Sequence, residues 1–268
     1  VETAIQTCYR HPDRRAGVIC QRCDRPICPD CMRQASVGFH CPECTKSSGQ
    51  KILRPRDLVA RPIVTQVLMA LNVAVYVYGM GGGLGTRDQV IIDGAVAGPP
   101  VAAGEWYRLV TSGFLHAGLI HIAFNMFILF RLGELLEPAL GRVRFTVLYF
   151  VSMLSGSLGV IALQPDRFAV GASGAVFGLM GATFVVMKAR GIDPMASGIG
   201  PTIMLNLIIT FTIPGISIGG HVGGLIGGAA VGWLFAVGGP RYLKDPAVTI
   251  GAAVILGVVV AGSAILIA

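Results

Sequence analysis

Two short polar motifs lie inside long apolar segments of this sequence, Gly171-Ala172-Ser173-Gly174 and His221-Val222-Gly223-Gly224. A serine hydroxyl is a poor nucleophile until a base takes its proton, and histidine is the side chain suited to that task near neutrality. Attack on an amide carbonyl also creates an oxyanion, which needs donors already in place. His121 and Asn125 stand one helical turn apart in His121-Ile122-Ala123-Phe124-Asn125, so a helix presents both on one face. The Ser173 amide is a further donor where a helix begins, because first-turn amides lack intrahelical partners. No Asp or Glu lies in an apolar segment near this depth to orient His221, so a Ser–His dyad is favoured over a triad. Plainer explanations exist for each motif alone. A serine in a glycine-rich helix is usually packing, and a membrane histidine also serves as ion ligand or proton relay. Serine chemistry and a polar-solute or ion pathway both stay open on these residues. The inner halves of the segments carrying Ser173 and His221 are glycine and aliphatic, which argues against a through-path.

A second constellation sits near the start. Cys8-x2-His11, Cys20-x2-Cys23, Cys28-x2-Cys31 and Cys41-x2-Cys44 are four close-spaced ligand pairs, and they hold all seven cysteines of the chain. Two such pairs complete a tetrahedral Zn²⁺ site, so eight ligands imply two structural Zn²⁺ ions. The intervals suit cross-bracing: Cys8, His11, Cys28 and Cys31 on one ion, Cys20, Cys23, Cys41 and Cys44 on the other. Sequential pairing would give two stacked ribbons instead, and His40 is a spare that could replace Cys41. A disulfide framework fits poorly with an odd cysteine count and with no export signal at the polar start. With few aliphatic residues, the segment would draw its folding energy from metal. No ligand position is left for substrate, so the zinc would be structural, or the module would dock a cytoplasmic protein partner. The spacing resembles B-box-type and related double-zinc modules.

The elements that must position Ser173 and His221 follow from composition. The 268 residues are 53% hydrophobic and only 13% charged, with mean hydropathy +0.70; soluble domains carry about 25% charged residues. Eleven of 21 Lys and Arg residues, and six of 14 acids, fall before residue 62. The organisation expected is a zinc-binding module over 1–50, a basic linker over 51–61, a six-span core over 62–240 and a seventh span within 241–268. The fold class is all-α polytopic membrane protein. Candidate spans are Ile63 to Met80, Ala117 to Leu136, Phe145 to Leu163, Gly171 to Met187, Thr202 to Ile213, Ile218 to Val237 and Val248 to Ile267. The net charge of +7 points to a membrane surface rather than nucleic acid.

Basic residues set the orientation. Arg54, Arg56 and Arg61 precede the first span; Arg142 and Arg144, Lys188 and Arg190, and Arg241 and Lys244 occupy alternate connections. The head and these connections are therefore cytoplasmic, in a cell's inner (plasma) membrane. Ser173, His221, His121 and Asn125 then converge near the extracytoplasmic face. The first connection, Gly81 to Tyr107, is long enough to suggest a functional element, with simple interfacial decoration as the alternative. Gly174, Gly178 and Gly181 in one span and Gly220, Gly224 and Gly228 in another permit close helix approach. Those two spans are expected to touch.

Taken in order, several of these motifs resemble one family. Trp106-Tyr107-Arg108, His116, His121-x3-Asn125, Gly171-Ala172-Ser173-Gly174-x3-Gly178 and His221-x2-Gly224-x3-Gly228 resemble the rhomboid intramembrane serine proteases over about Arg61 to Val237. The resemblance implies Ser173 as nucleophile and His221 as general base, with His121, Asn125 and the Ser173 amide as oxyanion hole. It implies a supporting role for His116, and Trp106 and Arg108 holding the first loop in the outer leaflet. Ile203 to Phe211 and the Pro214 to Ile218 loop would form a lateral gate and cap. Transmembrane helices would be the substrates, cut after a small residue, with no catalytic cofactor. A non-proteolytic client-binding membrane protein or a polar-solute transporter is the alternative.

Overall fold

The computed structural model describes residues 6–35, 38–47, 61–80, 85–236 and 245–268. The chain forms two compact units, Val1–Val59 and Ala60–Ala268. Arg54 and Arg56, most of the 51–61 linker, and Arg241 and Lys244 lie outside the described residues.

The first unit is built on two short antiparallel hairpins. β1 (Val18–Ile19) pairs with β2 (Pro26–Ile27), placing Val18 opposite Ile27. β3 (Arg33–Gln34) pairs with β4 (Phe39–His40), and α1 (Pro42–Ser47) follows. The turn between β1 and β2 is the Cys20–Cys23 knuckle, closed by the left-handed Asp24. Ile27 is the aliphatic centre of a core otherwise made of cysteines. Such a core is too small to hold the unit by apolar burial alone.

The second unit is a helical bundle. Its long helices are α2 (Ile63–Gly79), α6 (Leu119–Leu140), α7 (Arg142–Leu163), α8 (Ser173–Ala189), α9 (Ile199–Thr212), α10 (Ile218–Ala236) and α11 (Pro246–Ile267). α6, α7, α10 and α11 are long and apolar enough to cross a membrane, and α2, α8 and α9 are shorter apolar helices. Large apolar side chains such as Ile120, Phe127, Ile255 and Val258 are exposed around the outside. Lipid is the solvent such a surface requires.

Within lipid, helices gain little from hiding apolar area, so close contact must supply the attraction. A methyl placed on Gly224 would lie 2.0 Å from the Gly174 carbonyl, and one on Gly228 would lie 2.1 Å from the Gly178 carbonyl. α8 and α10 thus meet backbone to backbone along the two glycine stripes. α7 joins them: a methyl on Gly159 would lie 2.1 Å from the Gly219 carbonyl, and one on Gly223 would lie 2.4 Å from that of Ser155. Around this trio Phe145, Leu148, Tyr149, Leu179 and Met180 fill a fully buried core. α11 packs on the far side of α7, setting Ala264 beside Val160 and Ile161.

Helix α6 differs from expectation. It runs to Leu140 instead of Leu136, through Pro138. Glu137 explains the extension, since it is buried yet bonded. Its carboxylate accepts from the amides of Val64 and Thr65 (2.9 and 2.8 Å) and from the Thr65 hydroxyl. Those amides belong to the first turn of α2 and have no partners within their helix. The carboxylate therefore caps α2 and favourably meets its positive end. A hydropathy reading ends the span before Glu137, the second acid of the segment, whereas the helix continues because that acid is satisfied.

The long first connection contains α3 (Asp88–Gly94), α4 (Gly98–Ala102) and α5 (Arg108–Thr111). It is docked to the segment that leads into α8. Val96 and Ala169 exchange two backbone hydrogen bonds, 3.1 and 2.9 Å, and the Gly98 amide donates to the Pro165 carbonyl at 2.7 Å. Arg108, buried, donates through Nε to Glu105 (2.7 Å) and through a terminal nitrogen to the Ala95 carbonyl (3.0 Å). These links make the connection a fixed structural part.

Candidate active site

Ser173 is the first residue of α8. The chain turns into that helix at Gly171, whose φ of 127° suits glycine alone. The Gly171 amide donates to the Ser112 carbonyl at 2.9 Å, which pins the turn to the segment before α6. A methyl on Gly171 would lie 2.7 Å from His121 Nε2 and 3.6 Å from Ser173 Oγ. The imidazole of His121 and the serine hydroxyl therefore flank the same point.

His221 sits in the first turn of α10. Its ring stacks on Phe177, centroids 4.1 Å apart and planes 20° apart. Phe177 lies one helical turn after Ser173, so the stacked ring is held over the serine's face of α8. The backbone contact between Gly174 and Gly224 fixes the register of the two helices. His221 Nδ1 is 2.6 Å from Thr210 Oγ1 on α9. Among the described residues no hydrogen bond joins Ser173 to His221.

Ser173, His221, His121, Asn125, Phe177 and Asn206 line one cavity of about 770 Å³. Asn125 is buried, and its side-chain amide donates to the His121 carbonyl at 2.9 Å, leaving one of its two amide hydrogens for another acceptor. His116 is fully buried behind His121, ring centroids 5.0 Å apart. Its Nε2 receives the Ala172 amide at 3.5 Å, so it braces the turn ahead of Ser173. A small second cavity of about 40 Å³ touches Ser173 and is lined by Ser112, Ser157 and Ser217. It has room for a water molecule. Ile209, Gly215, Ile216 and Ser217 close the larger cavity on the side of α9 and the loop after it. Met204, Leu205, Ile208 and Phe211 face outward from α9. Trp106 and Tyr107 are half exposed beside the buried Arg108.

Residues 103–237, about half of the chain, match the Rhomboid domain family. The chain belongs to the rhomboid family. Rhomboid protease GluP of Bacillus subtilis is 34% identical over 172 residues, 63% of this chain and 34% of that protein. Rhomboid-like protease 1 of Toxoplasma gondii is 36% identical over 150 residues, 53% of this chain and 51% of that protein. Putative rhomboid protease YdcA of Bacillus subtilis is 36% identical over 138 residues, 50% of this chain and 69% of that protein. The chain thus spans about half or less of the first two relatives. The rhomboid match begins in the first connection and ends just after α10, so it contains every side chain named above around the large cavity. Sequence reasoning missed Thr210, Asn206 and Phe177. A lone phenylalanine in an apolar helix gives no spacing signal, and the four-residue repeat of Thr202, Asn206 and Thr210 does not say which helix that stripe faces.

The first unit holds the second candidate site. Cys8, His11, Cys28 and Cys31 form one set and Cys20, Cys23, Cys41 and Cys44 another, the ligand atoms of each within 4.8 Å of one another. These groupings are the cross-braced sets that the spacing predicts, with Cys41 and not His40 in the second set. Two sulfurs bound tetrahedrally to zinc at about 2.3 Å lie about 3.8 Å apart; Cys23 and Cys41 sulfurs are 3.7 Å apart. His11 Nδ1 is 3.3 Å from the Cys28 sulfur and 3.4 Å from that of Cys31. Burial pushes the Cys8 thiol up, but the Cys28, Arg10 and His11 amides outweigh it and bring it to about 6. Cys31 is pushed up to about 11 by burial and by Cys8 and Cys28. Cys44 is pushed up to about 12 by Cys23 and by burial. Sulfurs that raise one another in this way are those a dication at their centre would relieve. The donor set fits a divalent metal.

Proposed function

We propose that this protein is an intramembrane serine endopeptidase that cleaves transmembrane helices of other membrane proteins. Ser173 Oγ attacks the scissile carbonyl while His221 Nε2 takes its proton. His221 then returns that proton to the departing amine, and water repeats the cycle on the acyl-enzyme. His121, Asn125 and the first-turn amide of Ser173 receive the oxyanion. The observation that carries this reading is the meeting of Ser173 and His221 in one cavity, across the Gly174–Gly224 contact, with His121 and Asn125 on its wall. The close approach of His121 to the chain at Gly171, 2.7 Å from where a methyl would stand, leaves little room beside the serine and favours a small residue before the cut. The cavity of about 40 Å³ on the serine offers hydrolytic water a place within the membrane.

Orientation follows from charge. The Arg142–Arg144 and Lys188–Arg190 connections face the cytoplasm, and the active site faces the other side of an inner or plasma membrane. Residues 1–50 form a cytoplasmic module with two structural Zn²⁺, residues 51–61 a basic linker, 62–240 the catalytic core and 241–268 the last span. The metal there holds a fold and, through it, a docking surface for a cytoplasmic protein.

The test uses the purified full chain in lipid vesicles with a fluorescently labelled single-span helix. Cleavage is expected, with loss of at least about 10³-fold in kcat for Ser173→Ala and for His221→Ala. A fluorophosphonate should label the wild type and not Ser173→Ala. Full cleavage by the serine variant would overturn the assignment.

A further inference from the structure

The base His221 stacks its ring on the serine's helix and engages one ring nitrogen, Nδ1, elsewhere. That second contact is with Thr210, at 2.6 Å from Nδ1. Thr210 is 2% exposed, so no bulk water competes for its hydroxyl. A threonine hydroxyl has one proton to give and lone pairs to receive. Here the proton has a taker, the Asn206 carbonyl one turn back, at 2.7 Å. With the proton directed at that carbonyl, the oxygen meets His221 as an acceptor, and Nδ1 then carries the imidazole proton. A neutral imidazole protonated at Nδ1 has its free lone pair on Nε2. That nitrogen must be bare if it is to accept from a serine. The stacking of the ring on Phe177 fixes its plane but does not choose which nitrogen is protonated; the threonine does.

We propose that Thr210 is a positioning residue of the active site: its Oγ1 accepts Nδ1–H of His221, sets the tautomer with Nε2 unprotonated, and holds that nitrogen toward Ser173. The proposal rests on the reading of Ser173 and His221 as nucleophile and base. Thr210 fills the place that a carboxylate takes in a three-residue serine site, as a neutral acceptor contributed by a different helix. A neutral acceptor steadies the imidazolium less than a carboxylate does, and it also avoids placing a charge in lipid. Three of the polar side chains of α9 follow one stripe, Thr202, Asn206 and Thr210, each four residues apart, with Thr212 off it. Asn206 donates to the Thr202 carbonyl at 2.8 Å and Thr202 to the Gly198 carbonyl at 2.8 Å, so each member of the stripe donates along its own helix, and of the three it is Thr210 that meets His221.

The experiment measures kcat and KM for cleavage of a labelled transmembrane helix by the full chain and by Thr210→Val, Thr210→Ser and Ser173→Ala. Thr210→Val keeps the shape and removes the acceptor. It should lower kcat by about 10- to 100-fold with KM within about twofold. Thr210→Ser restores the acceptor and should fall within about threefold of wild type. Thr210→Val at wild-type kcat, or Thr210→Ser as weak as Thr210→Val, overturns the proposal. A second readout does not depend on any variant's folding: nitrogen NMR of histidine-labelled wild type should show His221 protonated at Nδ1. Protonation at Nε2 with bare Nδ1 overturns it. A wild type that cleaves nothing and takes up no fluorophosphonate would fail the protease reading, and the NMR arm would still decide the hydrogen bond.

Discussion

At the scale of single residues, the glycines divide sharply by what stands opposite them. Gly228 has the Gly178 backbone in the place of any side chain, whereas Gly251 on α11 has nothing within 4 Å. Gly228→Val should therefore drive α8 and α10 apart, costing about 2–3 kcal/mol or more and at least about tenfold in cleavage rate. Gly251→Ala should leave activity unchanged and raise helix stability by about 0.5–1 kcal/mol. Thermal melts in detergent beside cleavage assays would separate the two; equal effects would show that the stripe is not what sets the register. The spacing of Gly174, Gly178 and Gly181 against Gly220, Gly224 and Gly228 made this contact readable in advance, because small residues repeating at one helical turn have few other uses. Gly156 and Gly159 of α7 did not stand out, since they are two glycines three residues apart with no third to make a stripe. Thr210 was unreadable for a different reason: most threonines on apolar helices bond only their own carbonyl four residues back. This one does so too, and its second bond depends on which helix lies beside it.

At the scale of elements, two polar devices hold apolar pieces in place. Glu137 caps α2 from another helix, and Glu137→Leu would leave two buried amides without partners. It should destabilise the bundle by about 2–5 kcal/mol, whereas Glu137→Gln keeps one acceptor oxygen and should cost less; melting temperatures would rank them. The first connection is tied by Glu105, whose carboxyl is held below its ordinary value by the Tyr107 hydroxyl and then by Arg108. A depressed carboxyl stabilises the folded form at pH above its ordinary value, and that contribution is lost as pH falls through the lowered folded value. Hydrogen exchange in residues 98–111 should thus quicken on acidification, and Glu105→Gln should remove the pH dependence while exchange at neutral pH rises. Exchange in that segment unaffected by pH would refute the tie. The sequence announced this connection only by its length. Its docking through Val96 and Ala169 is a backbone contact that side-chain pattern does not encode.

At the scale of the whole molecule, the chain joins two units with different sources of stability. One gathers sulfur and imidazole about two centres that fit a divalent metal, the other is held by backbone contact in lipid. Metal analysis of purified protein should find two zinc ions per chain. Chelation should melt the first unit without moving the helical transition by more than about 3 °C. Retention of structure in the first unit after complete chelation would contradict the metal assignment. Both architectures were legible for the same reason: ligand spacing and glycine spacing are each tied to a fixed geometry. What escaped reading were contacts that depend on three-dimensional adjacency alone, such as Glu137 at the start of α2.

The bond from Thr210 to His221 spans two helices, and α9 is also a wall of the chamber. Any sideways swing of that wall that lengthens 2.6 Å to a water's width would release the imidazole from its tether. Admission and reactivity are then opposed in time. A guest that has only parted the wall meets a disarmed centre, and one that lets the wall settle back meets an armed one. Slow, selective turnover would follow from that timing even for a guest whose peptide bond is easily cut.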